Sequence, residues 1–311
     1  MKKVVVTCPP MLGLFDEFIN PAAKSGIELV PAKVIQTLTE KELKSLLPEF
    51  DAWIIGDDPA TESVFAAASA GRLKAAVKWG IGMDNVDFDA CSRLGIPITN
   101  TPDMFGAEVA DVAVAYLIGL ARDLFLIDRS VRRDNKWIKP AGMSLGDKTV
   151  ALVGFGDIGK HLARRLDVLQ MKVIAYDPGV EGNADIAAVT RADWPARLEE
   201  ADFVIFTCSL NAHNHHMFNK ETIKKCKQGV HVINVARGPL IDETSLFDAL
   251  ERQHVSAAAL DVFETEPLPG DSPLRSMERC IFGTHNGSNT REAVRRTSLE
   301  AIKKVREFLN G

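Results

Sequence analysis

With 311 residues, 46% of them apolar and 25% charged, the chain has the composition of a folded globular protein with room for about two domains. Its 37 Lys and Arg stand against 42 Asp and Glu, a formal net charge of -5 with no long basic run, which argues against a nucleic acid or an anionic membrane as partner. Five widely spaced cysteines with no C-x-x-C rule out a disulfide framework and are read as reduced core thiols of a cytoplasmic protein. The amino-terminal Met1–Val6 run stops at Pro9-Pro10, too short for a signal segment, and reads as a first buried strand. Strands are expected at Val4–Thr7, Ala52–Ile55, Ala76–Lys78 and Ile98–Asn100, with helices such as Glu40–Leu47 and Thr61–Ala70 between them. Glu108–Arg122 follows with helical apolar spacing at Val109, Val112, Ala113, Tyr116, Leu117 and Leu120 and must be buried. Its uncharged run, Val112–Ala121, is ten residues, where a membrane span needs about 20. The polar stretch Arg129–Lys136 reads as a helix end and connection. A second strand series is expected at Thr149–Val153, Lys172–Tyr176, Phe203–Thr207, Val230–Asn234 and Ala257–Leu260, then an amphipathic helix over about 290–309. Strands alternating with helices build parallel sheets covered on both faces. The expected fold class is therefore α/β, with two Rossmann-like doubly wound parallel-sheet domains.

The strand Thr149–Val153 runs into Gly154-Phe155-Gly156-Asp157-Ile158-Gly159 and then a helical pattern. G-x-G-x-x-G between a strand and a helix is a dinucleotide-binding loop: Gly154 permits the turn, Gly156 lets backbone approach a pyrophosphate, and Gly159 lets helix pack on strand. The helix N-terminus then favours the anion. Asp177 ends the next strand, eighteen residues after Gly159, where a carboxylate accepts bonds from a ribose 2′-hydroxyl and repels a 2′-phosphate. NAD is the expected cofactor, held by Gly154, Phe155, Gly156, Asp157, Ile158, Gly159 and Asp177.

Three further segments follow strand ends: Asn234-Val-Ala-Arg237-Gly, Asp261-Val-Phe-Glu-Thr-Glu266-Pro267 and Gly283-Thr-His285-Asn. They offer a guanidinium, a carboxylate and an imidazole, the equipment for a 2-oxo acid. Arg clamps a carboxylate through two parallel hydrogen bonds, His exchanges a proton with the carbonyl or hydroxyl oxygen, and a carboxylate beside an imidazole stabilises its protonated form. Taken singly, Arg237 reads as a surface ion pair, Glu266 as a turn residue and His285 as a loop histidine. Their joint order downstream of a dinucleotide loop is what points to catalysis.

On these motifs the chain resembles, over nearly its whole length, the NAD-dependent D-isomer-specific 2-hydroxyacid dehydrogenases, which include phosphoglycerate dehydrogenases and glyoxylate/hydroxypyruvate reductases. The resemblance implies Arg237, Glu266 and His285 as catalytic residues, with Glu266 the partner of His285. It implies Asp261 at the nicotinamide carboxamide and Ser209 and Ala236 among the cofactor contacts. Lys78-Trp-Gly-Ile-Gly-Met-Asp-Asn85 resembles a substrate loop, so Lys78, Ile81, Gly82 and Arg237 are the expected substrate contacts, with the Ile81 and Gly82 amides on the carboxylate. The substrate domain is expected over residues 1–100 and 284–311, the cofactor domain over 101–283 inserted into it, with the ligands in the cleft between them. A homodimer through the apolar helix 108–122 is implied as well.

Departures narrow the expectation. Thr207-Cys-Ser-Leu-Asn211 lacks the family's proline, and Asp111 stands where many relatives carry Glu. Phosphate-binding relatives often carry Arg where this chain has Gly56-Asp57-Asp58, which would repel a phosphate, with Lys78 the one positive charge at hand. With the sequence ending at Gly311, a serine-regulated phosphoglycerate enzyme is not expected. His213, His215 and His216 lack the ligand set of a metal site, so no metal is expected. The alternative function is an NAD-sensing, co-repressor-like binding protein.

Overall fold

The computed structural model describes residues 1–179, 186 and 188–310; Gly311, the last residue of the expected substrate domain, lies outside them. The chain divides into two compact units, residues 1–105 with the segment from Ser288 onward, and Gly106–Gly287.

In the first unit five strands form one parallel sheet: β1 (Lys2–Val6), β2 (Ile27–Pro31), β3 (Ala52–Ile55), β4 (Ala75–Lys78) and β5 (Ile98–Asn100), in the order β2-β1-β3-β4-β5. Val4–Val6, all of β3 and Ala75–Val77 are fully enclosed, as expected for parallel strands covered on both faces. One face is closed by Leu43, Leu47, Val64, Phe65 and Ala68, packed against Trp53 and Ile55. The helix Glu40–Leu46 starts at a capping box, Thr39 accepting from the Glu42 amide while Glu42 bonds back to Thr39, which satisfies two helix-end donors. The other face takes the C-terminal helix Arg291–Asn310 through Ala293, Val294, Ala301, Ile302 and Val305. Strand order reverses between β1 and β3, so the crevice of this sheet opens at their carboxyl ends.

In the second unit seven strands pair in parallel: β6 (Thr149–Val153), β7 (Lys172–Tyr176), β8 (Val189–Arg191), β9 (Phe203–Phe206), β10 (Val230–Asn234), β11 (Val255–Leu260) and β12 (Ile281–Phe282). The order β12-β11-β10-β9-β6-β7-β8 is doubly wound, with its reversal between β6 and β9. The apolar helix Gly106–Ala121 packs along helix Asp157–Val168 and over β10 and β11. Val109, Ala110, Ala113, Leu117 and Leu120 are buried. Both sheets are of the kind expected from the sequence: two parallel α/β domains. The strands at Ile27–Pro31 and Val189–Arg191 had no counterpart in the sequence reading, and the one at Ile281–Phe282 was implied there only by the strand end placed before Gly283.

Candidate active site

The second sheet's reversal point carries the glycine loop. Gly154 leaves β6 with φ +97, and a Cβ there would lie 2.5 Å from the Cys208 amide nitrogen that follows β9. A side chain is therefore excluded on both conformational and steric grounds. A Cβ on Gly159 would sit 2.3 Å from the Gly154 carbonyl oxygen, whereas one on Gly156 would meet nothing within 4 Å. The first contact is the close packing of helix on strand; the second is space kept open in front of the helix N-terminus. Thr207 anchors the turn, its hydroxyl donating to the Gly154 carbonyl at 2.9 Å. Gly156 precedes helix Asp157–Val168, whose first residue is acidic. Phe155 is buried, while Asp157 and Ile158 are half-exposed.

Asp177 follows β7 and closes over this loop. Its Oδ2 accepts from the Phe155 amide at 2.7 Å and its Oδ1 from the Gly179 amide at 2.8 Å. A carboxylate fixed between two backbone donors keeps acceptor lone pairs for a diol. Glycine cradle, open helix end and carboxylate together fit the adenosine diphosphate half of a dinucleotide. Ser209 is exposed just past β9, its carbonyl accepting from Asn214 Nδ2 at 2.7 Å.

The three expected catalytic side chains all lie on loops at the carboxyl end of this sheet. Arg237 follows β10, and Asn234 shapes its turn: Asn234 Oδ1 accepts from the Ala236 amide at 3.0 Å and Nδ2 donates to the Arg237 carbonyl at 2.8 Å. Arg237 Nη1 donates to the Ala236 carbonyl at 2.9 Å. A Cβ on the next residue, Gly238, would fall 1.9 Å from the Phe263 carbonyl carbon, so the Arg237 loop and the loop after β11 lie backbone against backbone. That second loop is tied again where the Glu243 amide donates to Glu264 and the Glu264 amide to Glu243, at 2.9 and 2.7 Å. It carries Glu266, whose Oε1 accepts from the Phe263 amide at 2.9 Å.

Glu266 Oε2 lies 2.8 Å from His285 Nδ1, with both side chains about four-fifths covered. An ionised carboxylate can only accept, so a neutral ring beside it holds its hydrogen on Nδ1 and carries its acceptor lone pair on Nε2. The His285 backbone is left-handed (φ 53) and its amide donates to the Asp261 carbonyl. Asp261 is 2% exposed. Its Oδ2 accepts from the Gly287 amide at 2.8 Å and its Oδ1 from the Tyr116 hydroxyl at 3.2 Å. Burial, and then the Asp261 charge, push the Tyr116 phenol above its ordinary range, which keeps it a donor.

Sequence reasoning missed Tyr116, Asn234 and Gly283. A Cβ on Gly283 would lie 2.0 Å from Asp261 Oδ1 and 2.4 Å from the Tyr116 hydroxyl, so this glycine makes room for the pair. The polar tip of Tyr116 in an otherwise apolar helix was the available signal. The Cys208 thiol, beside the glycine loop, is pushed up to about 12 by burial and is inert as a nucleophile.

The first unit holds the other expected contacts. Lys78 ends β4 with its ammonium enclosed, donating to the Gly56 carbonyl at 2.5 Å and to Asp57 Oδ1 at 3.0 Å. Gly80 (φ +108) turns the loop, its amide bonded to Thr101 Oγ1 at 2.7 Å. Ile81 is exposed, and its carbonyl accepts from Asn100 at 3.0 Å; Gly82 is half-exposed beside it. Among the described residues no His/Cys/Asp/Glu group could hold a metal ion, and no helix is long and apolar enough to cross a membrane.

A doubly wound sheet with a glycine cradle at its reversal point, an acid past the next strand and an imidazole–carboxylate pair at the same end defines a dinucleotide-dependent oxidoreductase. Residues 114–287 match the family described as D-isomer specific 2-hydroxyacid dehydrogenase, NAD binding domain. The chain is 36% identical over 297 residues to a hydroxypyruvate reductase of Thermotoga maritima, covering 92% of this chain and 95% of that one. It is 34% identical over 278 residues to a D-3-phosphoglycerate dehydrogenase of Synechocystis, covering 88% of this chain but 50% of the relative, so it spans about half the length of that enzyme. The apo-structure of D-lactate dehydrogenase from Escherichia coli superposes with a TM-score of 0.83 at 25% identity, covering 100% of this chain and 98% of the other. The chain therefore belongs to the D-isomer specific 2-hydroxyacid dehydrogenases, and its cofactor is NAD.

Proposed function

We propose that this protein interconverts a small 2-oxo acid and its D-2-hydroxy acid, with His285 as general acid and base, Glu266 as its partner and Arg237 as the clamp on the substrate carboxylate. The observation that carries the reading is the 2.8 Å pairing of His285 Nδ1 with Glu266 Oε2 on loops that close onto one another beside a dinucleotide cradle. Bound there, NAD supplies the hydride acceptor or, reduced, the donor. Gly154, Phe155, Gly156, Asp157, Ile158 and Gly159 hold its diphosphate, Asp177 its ribose, and Ser209, Ala236 and Asp261 the remainder. The first unit serves as the substrate domain, with the Ile81 and Gly82 amides donating to the substrate carboxylate.

In reduction, His285 delivers the Nε2 proton to the carbonyl oxygen while Glu266 stabilises the charged ring. In oxidation, neutral His285 takes the hydroxyl proton at the same atom. Arg237 fixes the acid by its planar fork, which orients the carbon that exchanges hydride. Hydroxypyruvate, named for the Thermotoga relative, is the first substrate to try.

We further place the protein in the cytoplasm as a homodimer. Its apolar helix Gly106–Ala121 is followed by exposed Leu124, Phe125, Val131 and Trp137, the last 81% exposed, an apolar surface suited to a second copy.

The test is NADH consumption with glyoxylate, hydroxypyruvate, pyruvate and longer 2-oxo acids. Turnover of at least one, with NADH preferred over NADPH, is expected. No oxidation with any acid would overturn the assignment.

A further inference from the structure

Of the histidines that follow β9, His216 has a place at the junction of the catalytic loops. Its backbone is left-handed (φ 52). Its amide donates to the Pro239 carbonyl at 2.8 Å, and its carbonyl accepts from Asn219 Nδ2 at 2.9 Å. Two residues on, buried Phe218 pairs with Ile241. The Phe218 amide donates to the Leu240 carbonyl at 3.1 Å, and the Phe218 carbonyl accepts from the Asp242 amide at 3.0 Å. The stretch 216–218 therefore runs alongside 239–242, the continuation of the Arg237 turn.

The His216 ring reaches a third loop. Its Nε2 lies 3.0 Å from Glu264 Oε1, the same oxygen that accepts from the Glu243 amide at 2.9 Å. A carboxylate only accepts, so the ring carries a hydrogen on Nε2 whether it is neutral or charged. The His215 ring lies on it, centroids 4.0 Å apart. One carboxylate oxygen thus collects a donor from the connection after β9 and another from the connection after β10, while Glu264 itself belongs to the connection after β11. Glu264 stands two residues before Glu266, and Pro239 two residues after Arg237. With the two side chains 36% and 34% exposed, the pair contributes little to stability; what it fixes is position.

We infer that His216 is a positioning residue of the reaction: by holding Glu264 it keeps Glu266 seated against the His285 ring and keeps the Arg237 turn in register with both. This deepens the proposed function and rests on it. Displacing a catalytic group by about 1 Å can cost about 10²-fold in rate, so a tie of small energy at this junction carries a large kinetic weight.

The experiment measures kcat and KM in H216Q, H216N and E264A, with NADH and the best acid of the substrate panel. Gln brings an amide donor to where Nε2 stands and accepts a left-handed backbone, as Gln170 (φ 59) and Gln253 (φ 57) do elsewhere in the chain. Asn accepts the same backbone but is too short to reach Glu264. H216N and E264A should each lower kcat about tenfold, with KM for NADH within about twofold of the wild type and H216Q recovering most of the loss. Because the effect runs through Glu266, H216N should cost at most about twofold more in an E266Q background. Wild-type kcat in H216N and E264A, a loss in H216Q equal to that in H216N, or a loss that H216N keeps in full in E266Q overturns the inference and leaves the function standing. A wild type that oxidises NADH with no acid overturns both. Should H216N fail to fold, E264A in the two backgrounds reads the same link from the other side.

Discussion

His285 is held in a left-handed conformation, with its amide on the Asp261 carbonyl and its ring on Glu266. Such a backbone suits Asn far better than a branched or bulky replacement, so H285N removes the acid/base group with least disturbance. On the roles proposed above, H285N should lower kcat by about 10²–10⁴ with an unchanged melting temperature, and E266Q by about 10². Wild-type turnover in H285N would sink the role. A second histidine matters to stability instead. His231 lies in β10 against the Phe203 ring at 5.1 Å, 4% exposed, and its Nδ1 has no hydrogen-bond partner. Burial, and then the Arg279 charge, push its pKa down from 6.5 to about 4. As pH falls below 6.5 the unfolded chain takes up a proton that the folded chain refuses, so folding free energy is lost down to about pH 4. Between about pH 7 and pH 5 the loss is about 2 kcal/mol. In H231F that part of the pH dependence should vanish from urea midpoints taken at the two values; an equal drop in both proteins would clear His231 of the effect.

The glycine loop separates, within one turn of helix, a residue that serves packing from one that, on the proposed function, serves ligand. A Cβ on Gly159 meets the Gly154 carbonyl at 2.3 Å, while one on Gly156 meets no protein atom within 4 Å. G159A should therefore lose about 1–3 kcal/mol of stability through overpacking together with NADH affinity. G156A should melt like the wild type and still lose NADH affinity at least tenfold. Fluorescence titration with NADH beside thermal melts checks both, and tight NADH binding by G156A would contradict the cradle. This loop was legible in the sequence because its requirements are local: a strand, three glycines at fixed spacing, a helix and an acid one strand later. The edge strands β2 and β8 were not, and β12 only through the strand end before Gly283. Ile27–Pro31 mixes Glu and Pro into its five residues, and Ile281–Phe282 is only two long, so neither shows a periodicity. Nor were the Tyr116–Asp261 bond, spanning 145 positions, or the Lys78–Asp57 ion pair. The first depends on which helix packs over which strand and the second on which strands are neighbours, and no residue type announces either.

At the level of the whole chain, two parallel α/β units each present a reversal point, and among the described residues the G-x-G-x-x-G turn lies at that of the second. NADH should accordingly stabilise residues 106–287 directly, by about 2.7 kcal/mol at a hundredfold excess over its Kd. On the role proposed for Asp177, calorimetry should show a transition that rises with NADH and much less with NADPH. Equal shifts with both cofactors would refute the selectivity assigned to Asp177. The homodimer is checked by size exclusion with light scattering, where a mass near twice 34.0 kDa is expected and a single-chain mass would refute it. The contact of Gly238 with Phe263, too close for a methyl group, has a practical corollary for anyone recombining such enzymes. The stretches 237–243 and 261–267 behave as one inherited block: a chimera whose crossover falls between them mixes two parental backbones at a seam with no slack. Shuffled libraries should therefore recover active members only when both stretches descend from the same parent.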